Sequence, residues 1–489
     1  VYIQIKRQQL GLLNLKKPVR LASCPDKIAM QSLLLFAFSS LVLGSVSIVD
    51  PSDYADLPGD VKDNAIMADY TTDNGGPMSL SYNITGPYYY VDKAAELDHK
   101  TLTVNANDTS VLVATHGATV NLSHVEVIKE GYCTWLNQAS FFGINAAINI
   151  ANSSTAYIEN SNITVHNGAA NVFAYGTGTT VYVSNTDLYS SGPVSHGLYA
   201  AGNATIYASN VRHYSGGNRC SSFSGDSPAG YLYVSDSVAH TAGIGSAIFY
   251  ALGEVYGTDV VGLAEKAPMM FSDGAQKAVL KNVDLTAGLL AGTVMFSSSQ
   301  RRSGASISFE NSRLTTLKKD MAALWFGNII ATATLVATEL NPASGILVIA
   351  NSSQVTQAFQ YFAGSEENSS IQPAEVTVSV AESALEGDIV AYNGSSISWS
   401  LTDHSTWTGS AYTAGKGTAT FAVSLDETST WTLTRDVSVQ NFTNADANNK
   451  NIRSRGYNIY YNPSAASNVW LKSKTVRLPG GGYLKPRSH

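Results

Sequence analysis

From about residue 120 onward, apolar residues alternate with polar ones over five or six positions and then stop at an Asn, an Asp or, once, a His. The segments AYIENSNIT, VYVSNTDLY, IYASNVRHY, LYVSDSVAH, EVYGTDVVG, AVLKNVDLT and ISFENSRLT align on Asn160, Asn185, Asn210, Asp236, Asp259, Asn282 and Asn311, at intervals of 23 to 29 residues. VNLSHVEV around His124 joins the series upstream, and ATLVATEL, VTVSVAES and ISWSLTDH follow it less tightly downstream. A second run recurs out of phase with the first, as NVFAYG, GLYAAG, IFYALG, PMMFSDG, VMFSSS, LWFGN and LVIANSS. The alternation of Val181 and Val183 with Tyr182 and Ser184 predicts strands with one buried face, and no stretch carries a capped apolar stripe of helical period.

Short strands repeated at this interval cannot bury a face singly and must stack on their equivalents in neighbouring repeats, which predicts an all-β parallel β-helix, a solenoid. A propeller blade needs a longer repeat of four strands, and a leucine-rich repeat has a different frame. The expected organisation is a leader or untranslated stretch at 1–29, a signal peptide at 30–47, an N-terminal cap at 48–100, the β-helix at 101–420, and C-terminal coils and cap at 421–489.

The segment MQSLLLFAFSSLVLGSVS at 30–47 has an apolar core from Leu33 to Leu43 followed by small residues. It is too short for a membrane span and fits a secretory signal, so no span is expected in the mature chain. Removing residues 1–29 with their six bases and one acid changes the net charge from -7 to -12 (24 basic, 36 acidic). An acidic body makes nucleic acid an unsuitable partner. Sequons at Asn83, Asn107, Asn121, Asn152, Asn162, Asn203, Asn351, Asn368, Asn393 and Asn441 agree with export. So does the pair Cys133 and Cys220, the thiols that remain once Cys24 leaves with the leader. A disulfide between them is expected if their two loops leave the same side of the coil. The expected location is secreted, extracellular or associated with a cell wall.

Near the C-terminus, SLDETSTWTLTRD (Ser424 to Asp436), SRGYNIYYN (Ser454 to Asn462) and LPGGGYL follow the coil segments. With these motifs the chain, from about residue 100, resembles right-handed parallel β-helix surface proteins with pectin-lyase-like coils, related to bacterial adhesins and autotransporter passengers. The resemblance implies a right-handed, single-stranded β-helix with terminal caps on a secreted protein. That family holds both polysaccharide-active enzymes and non-catalytic members. Asn185, Thr186 and Asp187 match one short element of polygalacturonase-like hydrolases, whose remaining elements this chain lacks.

The column His124, Asn160, Asn185, Asn210, Asp236, Asp259, Asn282, Asn311 reads as structure, because Asn and Asp tolerate the left-handed turn that bends one strand into the next. Two residues further on, Asp187 and Arg212 should be direct neighbours. As an enzyme, the chain would use Asp187, Arg212 and His213 for catalysis, with His196, Arg219 and Asp226 around the substrate and Ca²⁺ as an optional partner of a lyase. As a scaffold, it would use Asp187 and Arg212 as an ion pair in a ladder. His196, His213 and His240 fall at different offsets, so no metal site is expected from them. Tyr182, Tyr207, Tyr233 and Tyr256 recur at one strand position. A stack of these inside the coil would be packing; outside, Tyr182, Tyr207 and Tyr233 would form a flat platform for sugar rings. The reading that follows is a secreted, non-catalytic β-helix for adhesion or carbohydrate contact at a cell wall, with no resident cofactor. The alternatives are a polysaccharide lyase or glycoside hydrolase acting on an acidic glycan, and a self-associating coat protein.

Overall fold

A computed structural model describes residues 84–131, 133, 139, 141–353, 355 and 368–487. The expected leader, the expected signal peptide and most of the expected N-terminal cap lie outside the described residues. The chain is an all-β parallel solenoid of about 15 turns with 2% helix.

Each turn supplies three strand segments, and each segment pairs in parallel with its counterpart one turn on. In one representative step, Ala170–Tyr175 pairs with His196–Ala201 in a first ladder. The strand Thr180–Ser191 then serves two ladders. Its first half pairs Thr180 to Ser184 with Thr205 to Ser209, and its second half pairs Thr186 to Ser190 with Val211 to Ser215. The first turn is already present in Tyr88–Val91, Ala94–Asp98 and Thr101–Asn105, so the coil starts inside the segment expected to be a cap. Among the described residues the one antiparallel pairing joins Val476–Arg477 to Tyr483–Pro486 at the C-terminal end.

The alternation decides what is inside. Val181 and Val183 are 0% and 2% exposed, whereas Tyr182 between them is 40% exposed. Between the middle and last ladders the chain must turn without losing register. The residues of the predicted turn column all do so with φ between 48° and 56°. Left-handed backbone disrupts the ladder there, and the amide of the buried residue just past the turn needs another acceptor. A hydroxyl from the following turn supplies it. Ser161, Ser237, Ser312 and Ser383 each donate to the carbonyl two residues back, at 2.6–2.8 Å. The same oxygens accept from the amides of Val125, Val211, Val283 and Thr338, one turn earlier, at 2.9–3.2 Å. Ser237→Ala is therefore expected to leave the buried Val211 N–H without its acceptor and to destabilise by about 1–3 kcal/mol. A urea midpoint unchanged from wild type would refute this role.

Toward the C-terminus the interior holds indoles. Trp399, Trp407 and Trp431 are at most 1% exposed. Trp407 and Trp431 stack at 4.8 Å with an 8° interplanar angle. Their Nε1 groups donate to the Gly387 and Gly409 carbonyls at 2.8 and 2.9 Å. Gly409 has to be glycine, because a Cβ there would stand 1.8 Å from the Gly387 oxygen.

Candidate functional site

The middle ladder carries the most regular outward feature. Its register places Tyr157, Tyr182, Tyr207, Tyr233 and Tyr256 directly above one another, between Asn121 at one end and Val279 at the other. Tyr157, Tyr182 and Tyr207 are 40–47% exposed, so the stack is on the outside, as their alternation with Val181 and Ile206 requires. Ring centroids are 4.8–5.3 Å apart with interplanar angles of 2–17°. This spacing comes from the strand separation, about 4.8 Å, which happens to suit stacked rings.

That geometry changes what the tyrosines can offer a ligand. Each inner ring has both faces covered by its neighbours, so Tyr182, Tyr207 and Tyr233 cannot act as the flat platform expected from their spacing. They present ring edges and phenol hydroxyls instead. Burial and the neighbouring tyrosines push the Tyr233 phenol above its usual range, which keeps it a protonated donor. Beside the rings runs a second column, Ser184, Ser209, Ser235 and Thr258. Between the two lies a groove of about 460 Å³ with no charged side chain in its lining. The Tyr256 end is closed by Lys277, whose Nζ sits 5.1 Å from the ring centroid and donates to the phenol oxygen at 2.8 Å. Lys277 also approaches Glu254 at 3.6 Å.

The structure does not bring the three residues expected for catalysis to one side of the strand. Asp187 and Arg212 are neighbours, as expected, and form a two-point ion pair on the outer surface, with Nε to Oδ1 at 2.6 Å and Nη2 to Oδ2 as the second contact. The hydrogen bonds from Arg212 to Asp187 hold the guanidinium above its ordinary pKa, the opposite of what a lyase base requires. His213 is the next residue, so it points inward. It occupies the column of Leu188 and Ala239 at 0% exposure, with Nδ1 2.8 Å from Ser222 Oγ and Nε2 3.0 Å from Ser190 Oγ. Burial, with lesser contributions from His196 and His240, lowers its pKa to about 3.

His196 lies in the first ladder, beside Tyr199 at 4.6 Å between ring centroids, with Nδ1 3.2 Å from Ser224 Oγ. Burial lowers its pKa to about 3 as well. The Tyr199 hydroxyl donates to Asp226, so His196 and Asp226 meet through Tyr199. Arg219 occupies a left-handed position (φ 57°) in the turn before that ladder, and all three residues are at most 8% exposed. This group lies apart from the tyrosine groove: Tyr182, Tyr207 and Tyr233 stand on the middle ladder, whereas His196 is in the first, Asp226 just past it and Arg219 in the turn before it.

Cys133 and Cys220 are both buried and are not bonded to each other, contrary to the expected disulfide. The intervening turn explains it. Cys133 Cβ lies where a side chain on Gly168 would reach it. The Gly168 amide donates to Ser195 Oγ, and the Ser195 amide donates to Cys220 Sγ at 3.0 Å. Ser195 therefore stands between the two thiols.

Sequence reasoning passed over a different cluster, Asp98, His99 and His124, each of which offers one ligand atom within 4.8 Å of those of the other two. The signal was available in the spacing of His99 and His124, which is one coil. Among the described residues no helix is long and apolar enough to cross a membrane. No protein family, curated protein or solved structure matches this chain, and what it is similar to is thus an architecture, the parallel β-solenoid.

Proposed function

We propose that this is a secreted, non-catalytic solenoid, akin to the pectin-lyase-like adhesins it resembles, that holds an extended neutral polysaccharide along its tyrosine ladder. The observation that carries this reading is the in-register row of tyrosines beside an uncharged, hydroxyl-lined groove. An extended β-linked glycan advances per sugar by close to one coil spacing, so successive sugars would meet equivalent sites. Tyrosine hydroxyls and serine hydroxyls can each donate and accept, and the electropositive ring edges suit sugar oxygens. Each contact is weak, but along one rigid face the contacts act together. The absence of charge among the lining residues favours a neutral glycan over a polyuronate.

The lyase or hydrolase alternative has less support at the residues first considered for it. Arg212 is held charged by Asp187, and His213 sits inside the coil.

Co-sedimentation with insoluble neutral glycans (cellulose, β-glucan, chitin) and with pectate tests the reading. Wild type should pellet with at least one neutral glycan. The triple variant Tyr182→Thr, Tyr207→Thr, Tyr233→Thr, which keeps strand-favouring side chains, should bind at least about tenfold more weakly. Equal retention of the variant, or no retention of wild type, would overturn it. Unsaturated products released from pectate would favour the enzyme instead.

A further inference from the structure

At the corner where the middle ladder passes into the last, the turns from Asn160 to Asn311 use Asn or Asp, two later ones use Ala337 and Glu382, and Asn210 Nδ2 donates to Asn185 Oδ1 at 2.8 Å across one turn step. The two earliest turns place histidine there. His99 and His124 have φ of 49° and 52°, and their backbones are in register through Asp98 and Ser123. Their imidazoles stack at 4.6 Å with a 9° interplanar angle.

The Asp98 carboxylate lies against both rings. Its Oδ2 is 2.8 Å from His99 Nδ1 and its Oδ1 is 3.7 Å from His124 Nδ1. Ser123 Oγ lies 2.9 Å from His124 Nδ1. All three side chains are open to solvent, at 71% for His99, 49% for His124 and 52% for Asp98. Among the described residues no other group brings three possible ligand residues this close.

We propose that Asp98, His99 and His124 form a binding site for a divalent transition-metal ion of the zinc class, with solvent completing the coordination. Two imidazole nitrogens and one carboxylate oxygen match the preferences of Zn²⁺, Ni²⁺ and Cu²⁺ and are poor for Ca²⁺ and Mg²⁺, which take oxygen ligands. Bonds of about 2.0–2.1 Å in tetrahedral geometry require ligand atoms about 3.3 Å apart. The present separations close to that distance by side-chain rotation, which exposure leaves free. The backbone supplies the harder part. Parallel register fixes the two histidines one rung apart on a stiff corner, so little further ordering is needed when the ion arrives. The ion would tie Ala94–Asp98 to Thr119–Ser123 and so fasten the first described turn to the second. This site is independent of the glycan reading.

The test is calorimetric titration of the full chain with ZnCl₂ in a non-chelating buffer, with CaCl₂ and MgCl₂ as controls, in wild type and in the variants His99→Ala, His124→Ala and the double variant. Wild type should bind one zinc ion at this site. Either single variant should weaken that binding at least tenfold, the double variant should abolish it, and Ca²⁺ should give no comparable heat. Zinc should also raise the melting temperature of wild type and not of the double variant. Zinc binding undiminished in the double variant, equal binding of Ca²⁺, or no zinc binding by wild type would each overturn the proposal.

Discussion

Trp407→Ala should lower stability by about 3–5 kcal/mol, the range for emptying a fully buried aromatic position. Three losses coincide. The indole is 0% exposed, it stacks on Trp431, and its Nε1 is the hydrogen-bond partner of the Gly387 carbonyl. Because each turn rests only on its neighbours, the damage should stay local, so that the C-terminal turns melt ahead of the rest. Urea unfolding followed by tryptophan fluorescence and by circular dichroism should give coincident curves for wild type and separated curves for the variant. Tyr457→Ala, at a residue 38% exposed, is the comparison. Equal shifts for the two variants would refute the role given to the indole stack.

The second large effect is expected on acidification. His196 and His213 have pKa values lowered to about 3, mainly by burial. In the unfolded chain each returns to about 6.5. Between these limits the unfolded chain binds protons that the folded chain refuses. Their contribution to stability is complete above about pH 6.5 and is lost progressively as pH falls toward 3. Two such protons correspond to a slope of about 3 kcal/mol per pH unit at most. Asp98, Glu339 and Asp426, whose pKa values are lowered, act in the same direction nearer the carboxylate range. Asp273 and Asp284, raised by burial, act against it. His213→Leu places in the column the residue type already present at Leu188 and should remove about one proton from the slope between pH 6 and 4. An identical slope in that variant would show that His213 does not resist protonation in the folded protein.

Several features of the fold could be read from residue types alone, because they are local. A left-handed turn every coil is a property of single residues, and Asn160, Asn185, Asn210, Asp236, Asp259, Asn282 and Asn311 all adopt it. The tyrosine stack was legible for the same reason, since equal offsets from those turns fix register. What failed needed a direction or a depth. Asp187 and Arg212 share an even offset from their turns and His213 has an odd one, and the two point to opposite faces of a strand. The covered faces of Tyr182, Tyr207 and Tyr233 depend on side-chain torsions that spacing does not specify. The two cysteines were paired by elimination, whereas Ser195 occupies the rung between them. The turn hydroxyls were overlooked because their column alternates Ser and Thr with Val, and it reads as noise until the amide that each one serves is identified.

Those hydroxyls also make the two ends of a growing solenoid unequal. Ser161 serves Val125, Ser237 serves Val211 and Ser312 serves Val283, always from the later turn back to the earlier one. At such corners, a chain emerging N-terminus first has one incomplete place at a time, the amide of its newest turn, and the next turn to emerge carries the group that completes it. Starting from the other end, each new turn would dock its buried amide at once on a hydroxyl already in place, so the two ends are not equivalent. Growth in the order of synthesis therefore carries a single unsatisfied rung at its advancing edge, and the next turn to emerge closes it.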